Sequence, residues 1–246
     1  MSQILQKQTT IKKAATCSGT GLHTGAQVTL TFQPAAEHHG YKFQRVDLPG
    51  MPIIEADCDL VTDTSRGTTL EKNGAKVATV DHVLAALVGL QIDNVLIQVD
   101  AAEMPIMDGS SKPFVDVLLD AGIMEQEADR EYFDIPYNIH YTDDENKVEM
   151  VAMPLHDYRL TVMVDYNSPV LGSQHASVTS LQEFPEQIAS CRTFCFLHEL
   201  EMMLQHNLIK GGDLNNAIVI VDRVVEDDEM ERLAKLFNKQ KVEVRK

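Results

Sequence analysis

The sequence predicts an α+β fold, in which helices and strands of two related halves form separate layers. Three observations support this prediction: a half-buried strand near the start, an apolar helix followed by a buried strand, and the same order of elements in the second half. The chain has 246 residues, of which 44% are hydrophobic and 24% charged, and this composition is typical of globular proteins. Its length suits one large domain or two small ones.

The first half of the chain begins with a turn, a strand, a helix and a second strand. Polar and apolar side chains alternate over residues 27–33, which predicts a half-buried strand. The glycine-rich residues 19–25 before it predict a turn between strands. Residues 79–90 predict a largely buried helix with Thr79 as its N-cap, and residues 95–99 predict a buried strand after it.

A second helix completes the first half, and the second half then repeats the order of elements. The segment 110–122 predicts a helix with a proline near its start and a glycine at its end. Residues 159–166 alternate in polarity and predict a strand. Residues 197–206 predict a helix, and residues 216–222 predict a buried strand.

A local match between residues 89–100 and 211–222 supports an internal duplication. Each segment has a glycine at a helix end, then an asparagine, then a buried strand that closes on an aspartate. A match this short also arises by chance, because turns from helix to strand often look alike. The amphipathic segment 226–238 has a thinner apolar face than the first-half helix, so we expect the true counterpart of that helix after Lys246.

Charge and composition restrict the classes of partner. The formal net charge of −16 repels polyanions, so we expect no nucleic-acid partner, although a local arginine or lysine can still bind an anionic small molecule. Neither a secretory leader nor a long apolar run is present, and we expect a cytoplasmic protein without an integral membrane segment. The four cysteines form no C-x-x-C pair, which favours reduced thiols.

Three groups of residues are candidates for chemistry, and each has a structural alternative. The nine histidines include no H-E-x-x-H motif, so spacing alone does not demonstrate a metal site. Asp81 and His82 lie in the first turn of an apolar helix, either for function or as a favourable charge and a hydrogen-bonded histidine. Residues 192–194 present a cation, a hydroxyl and an aromatic ring either to a ligand or to a packed junction. His23 either polarises a substrate or belongs to a turn.

Six ordered segments resemble the zinc-dependent UDP-3-O-acyl-N-acetylglucosamine deacetylases of the lipid A pathway. They are residues 19–25, 79–87, 92–94, 104–110, 192–194 and 211–217. They span nearly the whole chain, and six motifs in one order are highly specific. Residues 63–68 and 170–175 further resemble the branch in which this deacetylase is fused to a 3-hydroxyacyl-carrier-protein dehydratase.

The resemblance implies a fold, a reaction and a cofactor. The fold would be two related two-layer α/β sandwich domains, residues 1–128 and residues 129–246, with the active site between them and the second domain truncated before its last helix. The reaction would be hydrolysis of the acetamide of the acylated UDP-N-acetylglucosamine, a small-molecule substrate. The cofactor would be Zn²⁺, which polarises the carbonyl and lowers the pKa of its bound water.

The resemblance also implies roles for the candidate residues at the metal. His82 would be the first zinc ligand, and Asp81 would take the position of the general base. Thr193 would help to hold the oxyanion. The family base is a glutamate, so Asp81 is shorter by one methylene, a displacement that costs on the order of a hundredfold in rate if nothing compensates. The family's other metal ligands have no counterpart before Lys246.

For the substrate, the resemblance implies that Phe194 lines the passage for the acyl chain. Arg192 is the candidate cation near the diphosphate, and His23 is a further candidate for substrate binding. A dehydratase, fused downstream or separate, is the implied protein partner.

The sequence leaves three hypotheses about function. The first is a deacetylase whose chain is truncated and inactive alone. The second is a non-catalytic remnant that binds the acyl-UDP-sugar or a partner deacetylase. The third is a chain that folds poorly because its second sheet lacks part of its covering helical layer.

Overall fold

The computed structural model describes residues 6–205, 209–222, 225, 231–232 and 234–235. It is rich in strands and contains few helices, so the predicted mixed α+β class is confirmed. The elements of the first half are β1 Lys7–Ile11, β2 Ala15–Thr20, β3 Gln27–Pro34, β4 Tyr41–Arg45, β5 Ile53–Glu55, β6 Val61–Asp63, β7 Thr69–Lys72, β8 Ala75–Val77, α1 Asp81–Gly89, β9 Val95–Val99, α2 Lys112–Ala121 and β10 Ile123–Asp129. Those of the second half are β11 Ile139–Asp143, β12 Val148–Ala152, β13 Leu160–Asp165, β14 Ser173–Val178, β15 Phe194–Phe196, α3 Leu197–Gln205 and β16 Ile218–Ile220.

A five-stranded sheet with the order β2-β3-β9-β4-β5 forms the centre of the first half. The pair β4–β9 is parallel and the other three pairs are antiparallel. The predicted strands at residues 27–33 and 95–99 are confirmed as β3 and β9. In β3 the side chains of Val28, Leu30 and Phe32 are buried while their neighbours are more exposed, as the alternation indicates.

The core of the first half lies between this sheet and the helices α1 and α2. Helix α1 buries Val83, Ala86 and Leu87, and α2 buries Phe114, Val115 and Leu118. These side chains belong to one hydrophobic cluster, and packing against the sheet supplies most of the stability of helices this short.

The glycine that ends α1 has a packing role. A Cβ at Gly89 would lie 2.1 Å from Cδ1 of Phe184, so only glycine allows this ring from the second half to contact the helix. Phe184 belongs to the same core cluster as the α1 side chains.

The N-cap prediction for Thr79 is wrong. Helix α1 begins at Asp81, its cap residue is Val80, and no side chain caps it. Thr79 has a φ of 58°, in the left-handed region that a β-branched residue rarely adopts. Its hydroxyl is directed to the carboxylate of Glu103 at 3.4 Å rather than to the first helical N–H groups.

The predicted turn at residues 19–25 is also shorter than expected. Strand β2 continues through Thr20, and the turn occupies residues 21–25. The amide of Gly25 donates to the carbonyl of Gly21 at 3.0 Å and closes it.

In the part of the second half that the structure describes, strands pair two by two, and a 3-10 helix over Leu181–Glu183 and a π-helix over Phe184–Ile188 precede β15 and α3. The antiparallel pairs are β11–β12 and β13–β14, and β15 pairs with β16 in parallel. The strand prediction for residues 159–166 is confirmed by β13, but all six residues of β13 are exposed. The alternation of polar and apolar residues in this segment therefore predicts its strand conformation correctly, but neither face of the strand is buried.

Two predicted boundaries of the second half change. The strand expected at residues 216–222 is only Ile218–Ile220, because the amide of Asn216 donates to the carbonyl of Asp213 and closes a turn there. Helix α3 confirms the helix predicted at 197–206 as far as Gln205, and residue 206 lies outside the described residues. The segment 226–238 also lies mostly outside them, although residues 231, 232, 234 and 235 are helical.

A second, smaller hydrophobic cluster contains Leu197, Leu200, Met203 and Ile209.

The division into domains at residues 128 and 129 and the internal duplication stay predictions. Among the described helices, none has both the length and the apolar character needed to cross a bilayer.

Candidate active site

Asp81 is held by the loop that precedes β7. Its two carboxylate oxygens accept hydrogen bonds from the Thr68 amide at 3.0 Å and from the Thr68 hydroxyl at 2.6 Å. A Cβ at Gly67 would lie 3.4 Å from the same carboxylate, so the loop passes close to it. The first turn of α1 and this loop therefore fix the direction of the carboxylate.

His82 follows Asp81 and is partly buried in α1. Burial lowers the pKa of His82, and the negative charges of Asp81 and Asp108 oppose this shift without cancelling it. The neutral imidazole is the form that coordinates metals. His82 thus has the protonation state of a ligand, and Asp108 lies near enough to act on it electrostatically.

The loop at residues 107–110 connects the surroundings of His82 to the second half. The carbonyl of Gly109 accepts the Thr193 amide at 2.7 Å. A Cβ at Gly109 would lie 2.1 Å from the carbonyl oxygen of Asn216, so the two backbones touch. Thr193 is thereby anchored to the same loop that carries Asp108.

Arg192 is used to join backbone segments. Its Nε donates to the carbonyl of Asp108 at 2.6 Å, and its Nη2 donates to the carbonyl of Leu214 at 3.4 Å. These bonds link the 107–110 loop to the segment before β16.

His23 lies in the turn at residues 21–25, against the segment that follows α3. The Leu22 carbonyl accepts the Gly211 amide at 3.0 Å, and the His23 carbonyl accepts the Lys210 amide at 3.3 Å. A Cβ at Gly211 would lie 2.1 Å from the Gly21 carbonyl oxygen, so this contact needs a glycine.

A cavity of about 110 Å³ lies at this junction, and its lining is mostly apolar. The residues that line it come from the 21–25 turn, the loop before β7, the 193–195 segment, α3 and the 209–219 segment. They are Leu22, His23, Arg66, Thr193, Phe194, Cys195, Leu200, Met203, Ile209, Gly212, Asp213, Leu214, Ala217 and Val219. An apolar cavity with a few polar groups is the usual form of a small-molecule site.

Aromatic contacts fix Phe194 at the cavity. Its ring packs edge to face on Tyr166 at 5.5 Å and on Phe196 at 5.9 Å between centroids. Such pairs contribute roughly 0.5–1.5 kcal/mol beyond the area they bury. The ring is therefore oriented although it is 37% exposed.

The structure gathers three of the six sequence candidates around one cavity: His23, Thr193 and Phe194. Asp81, His82 and Arg192 do not line it. Asp81 is joined to it through the loop that carries both Thr68 and Arg66.

Sequence reasoning missed three residues: Thr68, Arg66 and the buried Glu103. Residues 63–68 carried a signal, since they matched a branch of the resembled family, but that match named no role for either loop residue. No pattern in the sequence distinguished Glu103.

Candidate metal ligands are sparse among the described residues. Their one close group of three metal-binding side chains is Asp57, Cys58 and Asp59, which are all exposed. His82 is in no such group. The described residues therefore bring no two further candidate ligands together with His82, whereas a catalytic zinc site usually has three protein ligands.

The amino-acid sequence of the chain matches one defined protein family. The family model LpxC, described as UDP-3-O-acyl N-acetylglycosamine deacetylase, matches residues 8–242. The chain is a member of this family.

Relatives of two kinds resemble the chain. It is 47% identical to a protein of Chlorobaculum tepidum named bifunctional enzyme LpxC/FabZ, over 94% of the chain and 50% of that protein. It is 43% identical to a protein of the same name from Porphyromonas gingivalis, over 98% and 52%. It is 40% identical to a Psychrobacter arcticus protein named UDP-3-O-acyl-N-acetylglucosamine deacetylase, over 97% and 75%. The chain thus spans about half the length of the bifunctional relatives.

Proposed function

We propose that this chain is part of a cytoplasmic, zinc-dependent deacetylase that hydrolyses the N-acetyl group of UDP-3-O-acyl-N-acetylglucosamine in lipid A biosynthesis. Family membership and the names of the relatives support the reaction. The observation that carries the proposal is the apolar cavity, because it brings His23, Thr193 and Phe194 together from distant parts of the sequence.

Asp81 and Thr193 would have different roles in the hydrolysis. Asp81 would take a proton from the attacking water, with its direction set by the two hydrogen bonds from Thr68. These bonds support a base that is one methylene shorter than the glutamate of the family. The backbone of Thr193 is anchored to Gly109. Its hydroxyl would donate a hydrogen bond to the acetamide oxygen, which becomes negatively charged during hydrolysis.

His82 would hold the metal as one ligand, and its lowered pKa supports this role. When bound, Zn²⁺ supplies a Lewis acid for the carbonyl and an acidic water. The remaining ligands would come from segments that the described residues do not include.

The cavity suits an amphiphilic substrate. Phe194 and the side chains of α3 that line the cavity would contact the acyl chain. Arg192 stays a candidate for the diphosphate, but two of its donors already bind backbone carbonyls. We add Arg66, which lines the cavity and forms none of the ion pairs found among the described residues.

A dehydratase is the proposed protein partner, fused or separate. The bifunctional names of the relatives from Chlorobaculum tepidum and Porphyromonas gingivalis support it, and the chain matches only about half of each of these proteins. The two sandwich domains, residues 1–128 and 129–246, are likewise part of the proposal, although Phe184 and Ala189 of the second half belong to the hydrophobic cluster of the first.

The second candidate is a non-catalytic protein that binds the acyl-UDP-sugar or a partner deacetylase. Aspartate in place of the family glutamate at Asp81 and the single zinc ligand favour it. Both candidates share the cavity but differ in metal content and turnover.

The test is the zinc content and deacetylase turnover of the purified, metal-reconstituted chain. The variants are His82→Ala and, as a matched control, His140→Ala, which removes an exposed histidine of β11. Stoichiometric zinc that only His82→Ala loses, together with turnover, supports the enzyme. No zinc above the His82→Ala level, no turnover, and retained binding of the acyl-UDP-sugar are expected of the binding protein and equally of a deacetylase chain that is inactive alone. Turnover gained when this chain is joined to the part of the Psychrobacter arcticus relative that it does not match would then support the enzyme, and its absence would support the binding protein. A chain that neither turns over nor binds this ligand contradicts both candidates.

A further inference from the structure

Glu103 is a buried carboxylate with no place in the chemistry described above. It is 1% exposed, so it cannot contact a ligand in the cavity. Burying a carboxylate is costly unless hydrogen bonds satisfy it. Its hydrogen-bond donors therefore indicate what the residue does.

The donors come mainly from the turn that carries His23. The His23 amide donates to Oε1 at 2.8 Å, and the Thr24 amide donates to Oε2 at 2.9 Å. The Thr24 hydroxyl also donates to Oε2, at 2.7 Å. Both oxygens are engaged, and hydrogen bonds to a charged acceptor are about twice as strong as neutral ones.

The backbone of the turn is shaped to reach this carboxylate. A Cβ at Gly21 would lie 2.5 Å from Oε2 of Glu103, so any larger residue would separate the turn from the carboxylate. Backbone bonds on either side keep Glu103 in register: the Ala102 carbonyl accepts the Ala78 amide at 2.9 Å, and the Met104 amide donates to the Ala78 carbonyl at 3.0 Å.

Glu103 also contacts the segment that leads into α1. The Thr79 hydroxyl lies 3.4 Å from Oε1, and Thr79 is two residues before Asp81. The left-handed backbone of Thr79 is strained for a threonine and persists only if its surroundings hold it. One carboxylate therefore spans the His23 turn and the start of the helix that bears Asp81 and His82.

We propose that Glu103 is a positioning residue of the ligand site. Its carboxylate holds Leu22 and His23 at the cavity wall and in a fixed relation to the first turn of α1. The identity of the ligand rests on the proposed function, whereas the positioning itself rests on the hydrogen bonds of Glu103.

Glu103→Gln is the first variant, because all three turn donors point at acceptor oxygens. A glutamine has one carbonyl oxygen, so either orientation of its amide leaves at least one N–H of the turn without an acceptor. Glu103→Asp keeps the charge. Thr24→Val removes the hydroxyl bond to Glu103 and the longer bond that the Ala26 amide donates to the same hydroxyl at 3.3 Å. It is the variant to measure if the glutamine variant does not fold.

Asp93→Asn is the matched control for stability. Asp93 accepts the Thr9 amide at 2.8 Å and the Arg130 guanidinium at 2.8 Å, and it does not line the cavity. Asp93→Asn also weakens the fold, so this variant separates the effect of general destabilisation from the effect of displacing the 21–25 turn.

The measurements are amide hydrogen exchange of residues 22–24 and the affinity of the chain for laurate by calorimetry. We expect Glu103→Gln to raise exchange there and to weaken laurate binding, each by about tenfold, the size of one lost charged hydrogen bond. Thr24→Val and Glu103→Asp should give smaller changes of the same sign. Asp93→Asn should change neither quantity.

The inference is overturned if Glu103→Gln leaves exchange and affinity unchanged, or if Asp93→Asn changes both as much. If the wild-type chain does not bind laurate, the acyl site of the proposed function fails. The exchange measurement alone then supports or overturns the role of Glu103.

Discussion

The hydroxyl and the amide of Thr68 both donate to the carboxylate of Asp81, at 2.6 Å and 3.0 Å. Thirteen positions separate the two residues, and the loop between β6 and β7 brings them together. The pair gives the candidate base a fixed orientation that its own short side chain cannot supply.

A double-mutant cycle tests this pair. Thr68→Val should lower the free energy of unfolding by about 0.5–1 kcal/mol, because the hydroxyl bond is lost. Combined with Asp81→Asn, the two effects should be non-additive, since both changes remove the same interaction. Urea denaturation measures each step. Thr68→Ser should behave like the wild type, and a cycle of Thr68→Val with Asp144→Asn, an exposed residue of the distant β11–β12 turn, should be additive.

Two adjacent glycines allow a test of the junction beneath the cavity. Gly211→Ala would place a Cβ 2.1 Å from the Gly21 carbonyl oxygen, whereas Gly212→Ala would place one 3.2 Å from its nearest neighbour, the Ile209 carbonyl oxygen. We expect Gly211→Ala to cost about 1–3 kcal/mol by displacing the turn and to weaken laurate binding. Gly212→Ala should cost clearly less in the free energy of unfolding, and only this quantity is compared, because Gly212 itself lines the cavity. Equal losses in the two variants would contradict the importance of the Gly21 contact.

Arg66 should contribute to the binding of an anionic head group. Arg66→Ala should weaken UDP binding about threefold at low salt, the scale of an exposed ion pair, and the loss should shrink as salt increases. Arg66→Lys should keep part of the affinity. Arg159→Ala removes an exposed arginine that does not line the cavity, and it should leave UDP binding as it is. Calorimetry at two salt concentrations measures the affinity of each variant for UDP.

Cys17 should be the less reactive of two thiols. Burial raises the pKa of Cys17 to about 11 from an ordinary value of 9.0, whereas Cys58 is exposed. The thiolate is the reactive form, so alkylation of the folded chain near pH 8 should modify Cys58 well before Cys17.

Mass spectrometry after timed alkylation gives both rates. The raised pKa also means that the folded state holds the proton more tightly. Cys17 should therefore lower the free energy of unfolding as the pH rises from about 9 toward 11. Equal alkylation rates in the folded chain would contradict the burial argument.

The sequence by itself determined the local elements and the family. Strand β3, strand β9, helix α2 and the strand conformation of β13 all follow from the spacing of apolar residues, which backbone geometry turns directly into a helix or a strand. The ordered motifs identified the deacetylase family, and the family model confirms it over residues 8–242.

Only the tertiary structure decided how distant segments meet. Thr79 is a plausible N-cap by sequence, but its left-handed backbone and its contact with Glu103 depend on residues that lie 24 positions apart. The Thr68–Asp81 pair, Arg66 at the cavity, and the exposed faces of β13 likewise arise from chain segments that packing brings together or leaves uncovered. Periodicity reports the conformation of a segment, whereas burial and hydrogen bonding depend on which other segments lie against it.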